Sequence, residues 1–340
     1  MPVPKFSFEL KALKIGNKKP GDAICMRWGE NLSEQNRKQF VCVVDAGAND
    51  SDADKVISCV KNDFGASAID LLINTHPHDD HLGGFRHLIW SYGVKKVVLQ
   101  QPWRHKELYA VLKSSAVSGT LSTKELERYH VKDVHKLVWD IGQREKTGAP
   151  MPKIESWCGG QMVQAGGMYI TVLSPLNPFY VQHFKGISGY KEGQITETQF
   201  SSLEELTDAG DASCIHHCCY VLALSRKDSK NVSVLLTGDA TVLAQTEALK
   251  SAQATGLAFD ALKIFQIPHH GGDRNSRMSV LSKVLKQVPS SDRRFAFASV
   301  PKESDGSHPS KIVVDAIEGR GWTCFGKNDE SNVSLKLTWS

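Results

Sequence analysis

Apolar and polar positions alternate at the start of the chain. FSFELKAL (6–13) reads as a half-buried strand, DAICMRW (22–28) follows a Pro-Gly turn, and FVCVVDAG (40–47) is a continuous buried run. Residues 52 to 63 take up helical spacing. The apolar strand IDLLINT (69–75) then runs into a histidine cluster, a helix begins near His81, and KVVLQQP (96–102) is the next strand. From about 105 to 145 the pattern is charged and helical, which predicts a helical insertion. MYITVLSP (168–175) resumes the sheet pattern, and the polar, Gly-containing stretch 178–212 reads as a long loop. CCYVLAL (218–224) and VSVLLTGD (232–239) are successive strands. The last third alternates helix and strand: TVLAQTEALKSAQ, FDALKIFQIP, SVLSKVLKQV, RFAFASV, HPSKIVVDAIEGRG and a closing NVSLKLTWS. Strands grouped first and β-α units afterwards favour a layered α/β domain with helices outside.

Two segments echo each other. LLINTHPHDDH (71–81) and LKIFQIPHHGG (262–272) are both buried strands ending in Pro-neighboured histidines, followed by Gly and a helix. Two such halves predict a two-sheet sandwich with a site along one edge, where strand carboxyl ends meet.

Composition changes this picture little. The 340 residues are 41% hydrophobic and 23% charged, as in an ordinary globular protein. A net charge of +4 and a pI near 8.5 tolerate a phosphate-rich substrate without the basic stripe of a dedicated nucleic-acid binder. Lys95, Lys96, Arg104 and Lys106, like Arg293 and Arg294, fit a solvated face better than a binding patch. The N-terminal segment lacks the basic-then-apolar build of a signal peptide, and no apolar run approaches the ~18 residues that span a bilayer. With eight scattered cysteines, the expectation is a cytoplasmic protein with reduced thiols and no membrane association.

The chemistry concentrates at residues 76 to 81. His76, His78 and Asp80 alternate along an extended segment and project to one side, and His81 joins them only where the chain turns, for which Gly83 and Gly84 offer freedom. Neutral imidazole and carboxylate are ligands for zinc, and also for manganese or iron. A His-rich polar surface loop is the alternative, and it does not account for four such groups at the end of a buried strand. Cys218 and Cys219 beside His216 and His217 have no second cysteine pair to complete a zinc finger or ribbon, and read as buried small residues.

T-H-P-H-D-D-H resembles the HxHxDH signature of the metallo-β-lactamase superfamily. GDAI (21–24), VVDAG ending at Gly47, LLTGD (235–239) and IPHHGG (267–272) are similar to its other motifs. Their order, with His308-Pro309 ahead of a late helix, is most like the hydrolase domain of ComEC-type competence proteins. The resemblance implies a four-layer αββα sandwich: one domain over 1–340 with the insertion at 105–145. It implies two divalent ions, zinc foremost. His76, His78 and His216 (His217 as alternate) would hold one, Asp80, His81 and His269 the other, with Asp239 bridging. Asp45 would orient ligands, and Asp80, His270 and His308 would serve catalysis, the two histidines as proton donors. The activity implied is phosphodiester hydrolysis of DNA, RNA or a nucleotide by a water shared between the ions. An acyl hydrolase on a lactone, amide or thioester, and a non-enzymatic interaction module docking through the insertion, are the alternatives.

Overall fold

The computed structural model describes residues 5–16, 20–34, 37–106, 108, 131–187, 214–289, 291–300, 308–326 and 332–339. Much of the expected insertion, and most of the expected loop at 178–212, lie outside them. What is described differs in one respect: Asn177–Ile187 is a helix rather than the start of a loop. Its apolar residues Phe179, Tyr180 and Val181 are consecutive and Tyr180 is buried, but the polar stretch that follows obscured this short helical segment.

Among the described residues, sixteen strands form two large sheets and one two-stranded ribbon. In chain order they are β1 (Phe6–Ala12), β2 (Ile24–Glu30), β3 (Lys38–Val44), β4 (Ala68–Ile69), β5 (Leu71–Ile73), β6 (Gly93–Val94), β7 (Lys96–Val98) and β8 (Lys153–Glu155). They continue as β9 (Met162–Ala165), β10 (Met168–Ser174), β11 (Val221–Arg226), β12 (Val232–Leu236), β13 (Ile264–Gln266), β14 (Phe295–Phe297), β15 (Thr323–Phe325) and β16 (Val333–Trp339). The first sheet runs β16-β1-β2-β3-β5-β7-β8 and the second β15-β14-β13-β12-β11-β10-β9. Each is antiparallel on one side and parallel on the other, joining at β3-β5 and at β12-β13. The echo between the two halves of the sequence is thus an echo of topology, since β5 and β13 are the equivalent parallel strands and each delivers histidines from its carboxyl end.

Three cores define four layers. Between the sheets lie Phe8, Leu10, Met26 and Trp28 from the first and Ile170, Leu222, Leu224 and Phe297 from the second. Trp28 is stacked between Phe8 and Phe40, with ring centroids 6.0 and 5.0 Å away, and its Nε1 donates to Ala165 O at 2.8 Å, which ties the sheets together. Burying each such side chain contributes roughly 1.5–3 kcal/mol. Outside the first sheet, Val56, Phe85 and Leu88 pack the helices Asp50–Ser58 and Phe85–Ser91 onto Val41, Val43 and Leu72. Outside the second, Ala244, Ala248, Leu281 and Val314 do the same for the helices Val242–Thr255, Met278–Val284 and Lys311–Glu318. Thr241 caps the first of these by accepting from Ala244 N, and Gly256 ends it in the left-handed region, φ 70°. Among the described residues, no helix is long and apolar enough to cross a membrane.

Candidate metal centre

The first histidines sit beyond β5. The chain bends at Thr75 and His76, is extended at His78 (φ −69°, ψ 151°) and enters a short helix at Asp79–Leu82. His76 therefore projects from a bend, His78 from extended backbone, and Asp80 and His81 from a helical turn. The reason for the glycines is not the one the sequence suggested. Gly83 and Gly84 have ordinary helical φ values, −56° and −80°. A Cβ on them would lie 2.1 Å from Ala48 O and 2.3 Å from Ala46 O, so they serve close approach of the motif to the β3 end.

From the second sheet, β12 ends at Leu236 and Gly238 turns at φ 48°, where a Cβ would fall 2.7 Å from Cys219 Sγ. Asp239 follows, 2% exposed. β13 ends at Gln266. Beyond it His269 and His270 both lie in the left-handed region, φ 50° and 55°, which brings two adjacent side chains to one carboxylate. His216 comes from the short helix Cys214–His217 ahead of β11.

These residues form two groups that share Asp239. In one, His78 Nδ1 lies 3.1 Å from His76 Nε2 and 3.0 Å from His216 Nε2, while Asp239 Oδ2 stands 3.9 and 3.7 Å from those two Nε2 atoms. In the other, His81 Nε2 is 3.7 Å from Asp80 Oδ2 and 3.5 Å from Asp239 Oδ2, and His270 Nε2 is 3.9 Å from Asp80 Oδ2 and 3.6 Å from Asp239 Oδ1. The ligand-type atoms of His76, His78 and His216, and those of Asp80, His81 and His270, each fall within 4.8 Å of one another. The adjacent pair divides differently from the sequence expectation: His270, not His269, stands with Asp80 and His81. His269 faces the cluster as well, grouped with His216 and Asp239: its Nε2 stands 3.6 Å from Asp239 Oδ2, with its ring 4.8 Å from that of His216.

Hydrogen bonds set the tautomers. His81 Nδ1 donates to Asp45 Oδ2 at 2.8 Å and His270 Nδ1 to Ser299 O at 3.0 Å, so in both rings Nε2 faces inward. Thr75 Oγ1 donates to Asp45 Oδ2 at 2.6 Å and accepts from His76 Nδ1 at 3.1 Å, leaving His76 Nε2 bare. His269 Nδ1 is fixed by Asn275 Oδ1 at 3.0 Å. Burial, reinforced by His81 and His78, holds His76 well below the usual imidazole range. Burial and then His216 push His78 down to about 3. Both rings are neutral at pH 7, the form that binds metal. Burial opposes charge on His81, but Asp239 and Asp45 outweigh it and raise the group well above its ordinary value. Burial opposes ionisation of Asp239, but the neighbouring His270 and His81 keep it ionised well below the usual carboxylate range. Burial pushes the Asp45 carboxyl up while His81 pulls it back. Thr75 N, Thr75 Oγ1, Asn74 Nδ2 and His81 Nδ1 all aim at its oxygens, which favours the anion.

The donor set fits divalent cations. His81 Nε2, Asp239 Oδ1 and His270 Nε2 are buried without a hydrogen-bond partner among the described residues, and all three face the same space. Unsatisfied buried polar atoms are costly in an apolar interior. Two ligand atoms each ~2.1 Å from one tetrahedral ion stand about 3.4 Å apart, close to the 3.5–3.9 Å separations around Asp239. His217, the alternate to His216, turns away: its Nδ1 is 2.7 Å from Thr241 Oγ1 and its ring packs 4.9 Å from His183. His308 lies beyond His269, ring centroids 6.4 Å apart. Cys219 is buried with Sγ 3.8 Å from His76 Nδ1, and Cys218 packs with Leu108 and Tyr180. Sequence reasoning missed Gln266 and Asn275, which brace the Asp239 turn and His269. A glutamine between Phe265 and Ile267 in a buried strand is the signal that marks the first.

Residues 36–149, which include the His76–His81 cluster, match the family model of the metallo-β-lactamase superfamily. The fold is the metallo-β-lactamase fold. No curated protein matches the chain. Among solved structures it is similar to a diphosphatase from the PhnP family, 9% identical over 98% of each chain with a TM-score of 0.45. It is also similar to the metallo-β-lactamase-fold protein YhfI from Bacillus subtilis, 10% identical over 97% of this chain and 99% of that one, TM-score 0.46. Zn(2+)-bound PqqB from Methylobacterium extorquens is 8% identical over 97% of this chain and 100% of its own, TM-score 0.42. These likenesses carry no inference about the substrate.

Proposed function

We propose that this metallo-β-lactamase-fold protein is a dinuclear metal-dependent phosphodiesterase acting on DNA, RNA or a nucleotide. The observation that carries the reading is Asp239, which both groups share: its Oδ2 faces His76, His216 and His81 while its Oδ1 faces His270. In this reading His76, His78, His216 and Asp239 would hold one ion, and Asp80, His81, His270 and Asp239 would hold the other. Imidazole with few carboxylates favours zinc, and manganese and iron accept the same donors.

Paired divalent ions at such a site supply Lewis acidity, activating water near neutral pH and offsetting charge on a phosphoryl oxygen during in-line displacement. The chain's own groups do the rest. Asp45, through Thr75 and His81, holds two imidazoles with their lone pairs inward. Asp80, whose side chain is 36% exposed, opens its side of the cluster to solvent, where an entering phosphate would approach. His270 is buried with Nδ1 engaged by Ser299, which suits a ligand and not a proton shuttle. The proton for a leaving alkoxide is assigned to His308, at the rim next to His269. The preference for a phosphodiester rests on the motif order of the sequence, His308-Pro309 included, which resembles that of ComEC-type hydrolase domains.

Metal analysis, with assays on single-stranded DNA, RNA, bis(p-nitrophenyl) phosphate and a thioester, tests the proposal. Two ions per chain and phosphodiester turnover abolished in His78→Ala are expected. Turnover untouched by that substitution overturns it. Thioester turnover alone reassigns the protein to acyl hydrolysis, and two ions without turnover on any substrate favour an interaction module.

A further inference from the structure

Asp22 is 1% exposed and lies in the loop before β2, on the opposite sheet from Asp239. Its Oδ2 accepts from Gln266 Nε2 at 2.8 Å. Gln266 Oε1 in turn accepts from Thr237 N at 3.0 Å and Gly238 N at 2.9 Å, the two residues that precede Asp239. Because one end of the amide receives two backbone N–H groups, the other end is obliged to donate, and Asp22 is the acceptor it meets. Asp22 O accepts from Gly47 N at 2.9 Å, and its carboxylate groups with Asp45 and His81 within 4.8 Å. Its backbone N donates to Asp80 O at 3.2 Å. Its Oδ2 lies 3.8 Å from His81 Nδ1 and its Oδ1 3.8 Å from His270 Nδ1. That Oδ1 is buried and has no hydrogen-bond partner among the described residues.

We infer that Asp22 and Gln266 are a positioning pair for one ion only, the ion assigned above to Asp80, His81, His270 and Asp239. The inference rests on that two-pocket reading. Asp22 reaches each of those four residues, Asp80 through the main chain, the two imidazoles through its carboxylate, and Asp239 through Gln266 and Gly238. Its carboxylate lies 3.8 Å from an imidazole nitrogen of His81 and of His270, and no ion pair joins it to His76, His78 or His216 among the described residues. A negative charge facing the Nδ1–H side of both imidazoles strengthens their Nε2 atoms as donors to a cation. The bond to Gln266 also clamps the two sheets at the depth where their ligands must meet. The pair thus tunes the second ion's affinity separately from the first.

The test uses the full-length protein, Asp22→Asn, Gln266→Glu and the double variant, with zinc stoichiometry, zinc titration and the cobalt(II) absorption spectrum as readouts. Asp22→Asn loses the charge, and Gln266→Glu sets two carboxylates against each other. Each single variant is expected to stay folded and keep one tightly held ion while the second weakens tenfold to a hundredfold. In the double variant the amide introduced at position 22 can donate to the carboxylate introduced at position 266, whose other oxygen still accepts from Thr237 and Gly238. It is expected to recover at least part of the lost affinity, a coupling that general loosening of the fold does not produce. Wild-type affinity at both pockets in the single variants, parallel loss of both ions, or failure of both single variants to fold overturns the inference. If the wild-type protein itself binds fewer than two ions, it is the two-pocket reading that fails.

Discussion

His270 Nε2 faces Asp239 Oδ1 across 3.6 Å, and both atoms are buried without a hydrogen bond among the described residues. The adjacent His269 meets the other oxygen of the same carboxylate, also at 3.6 Å, but is anchored by Asn275 at the rim. His270→Ala is therefore expected to lower bound metal from two ions to one and to cut turnover at least a hundredfold. His269→Ala is expected to retain two. Elemental analysis of both variants decides between them, and loss of metal only in His269→Ala reverses the assignment.

Asp45 receives four donors, among them His81 Nδ1 at 2.8 Å. In Asp45→Asn one acceptor oxygen becomes an amide donor facing other donors. Metal affinity is expected to fall about 10–100-fold with the sheets still assembled. Isothermal titration with zinc beside a far-UV spectrum checks both halves of the statement.

Ions bound only by the folded state stabilise it by mass action, about 2.7 kcal/mol per site at a free concentration of 100 Kd. Chelation is expected to lower the melting temperature and zinc to restore it. A melting curve indifferent to both would mean that His81, Asp239 and His270 do not bind ions in solution.

Trp28 is fully buried between Phe8 and Phe40 and hydrogen-bonded to the opposite sheet. Trp28→Ala is expected to cost about 3–5 kcal/mol of stability by denaturant titration, since the cavity adjoins both sheets and cannot close from one side.

Glu155 on β8 is the acid with a readable pH signature. Burial would raise it, but Lys153 at 2.9 Å, Trp157 Nε1 at 3.0 Å and Lys96 at 3.1 Å lower it to about 2. A depressed acid contributes stability that is complete above its unfolded value, about 4.3, and is lost as pH falls through the folded one. Glu155→Gln is thus expected to be less stable than wild type at pH 7 and to converge on it between about pH 4.5 and 2. A stability difference that stays constant across that window would contradict the assignment.

The sequence by itself determined the longer strands and gathered the first four candidate ligands, while the short strands at Gly93–Val94, Lys153–Glu155 and Met162–Ala165 went unread. Period-2 alternation and buried runs mark β1, β2, β3, β10 and β12, because a strand's faces are written two residues apart. His76, His78, Asp80 and His81 are legible for the same reason: six consecutive residues carry their own geometry. Thr241 and Gly256 likewise announce the ends of a helix locally. What only the tertiary structure decided is every choice that depends on a second segment. Whether His216 or His217 faces the cluster follows from where Thr241 and His183 stand. The choice between His269 and His270 follows from a left-handed turn pinned by Ser299 and Asn275. The role of Gln266 exists only because Asp22 lies across from it, 244 residues away in the chain. Local periodicity fixes which way a side chain points within its own element. The partners it meets are set by packing of the two sheets against each other, which no single window of sequence contains.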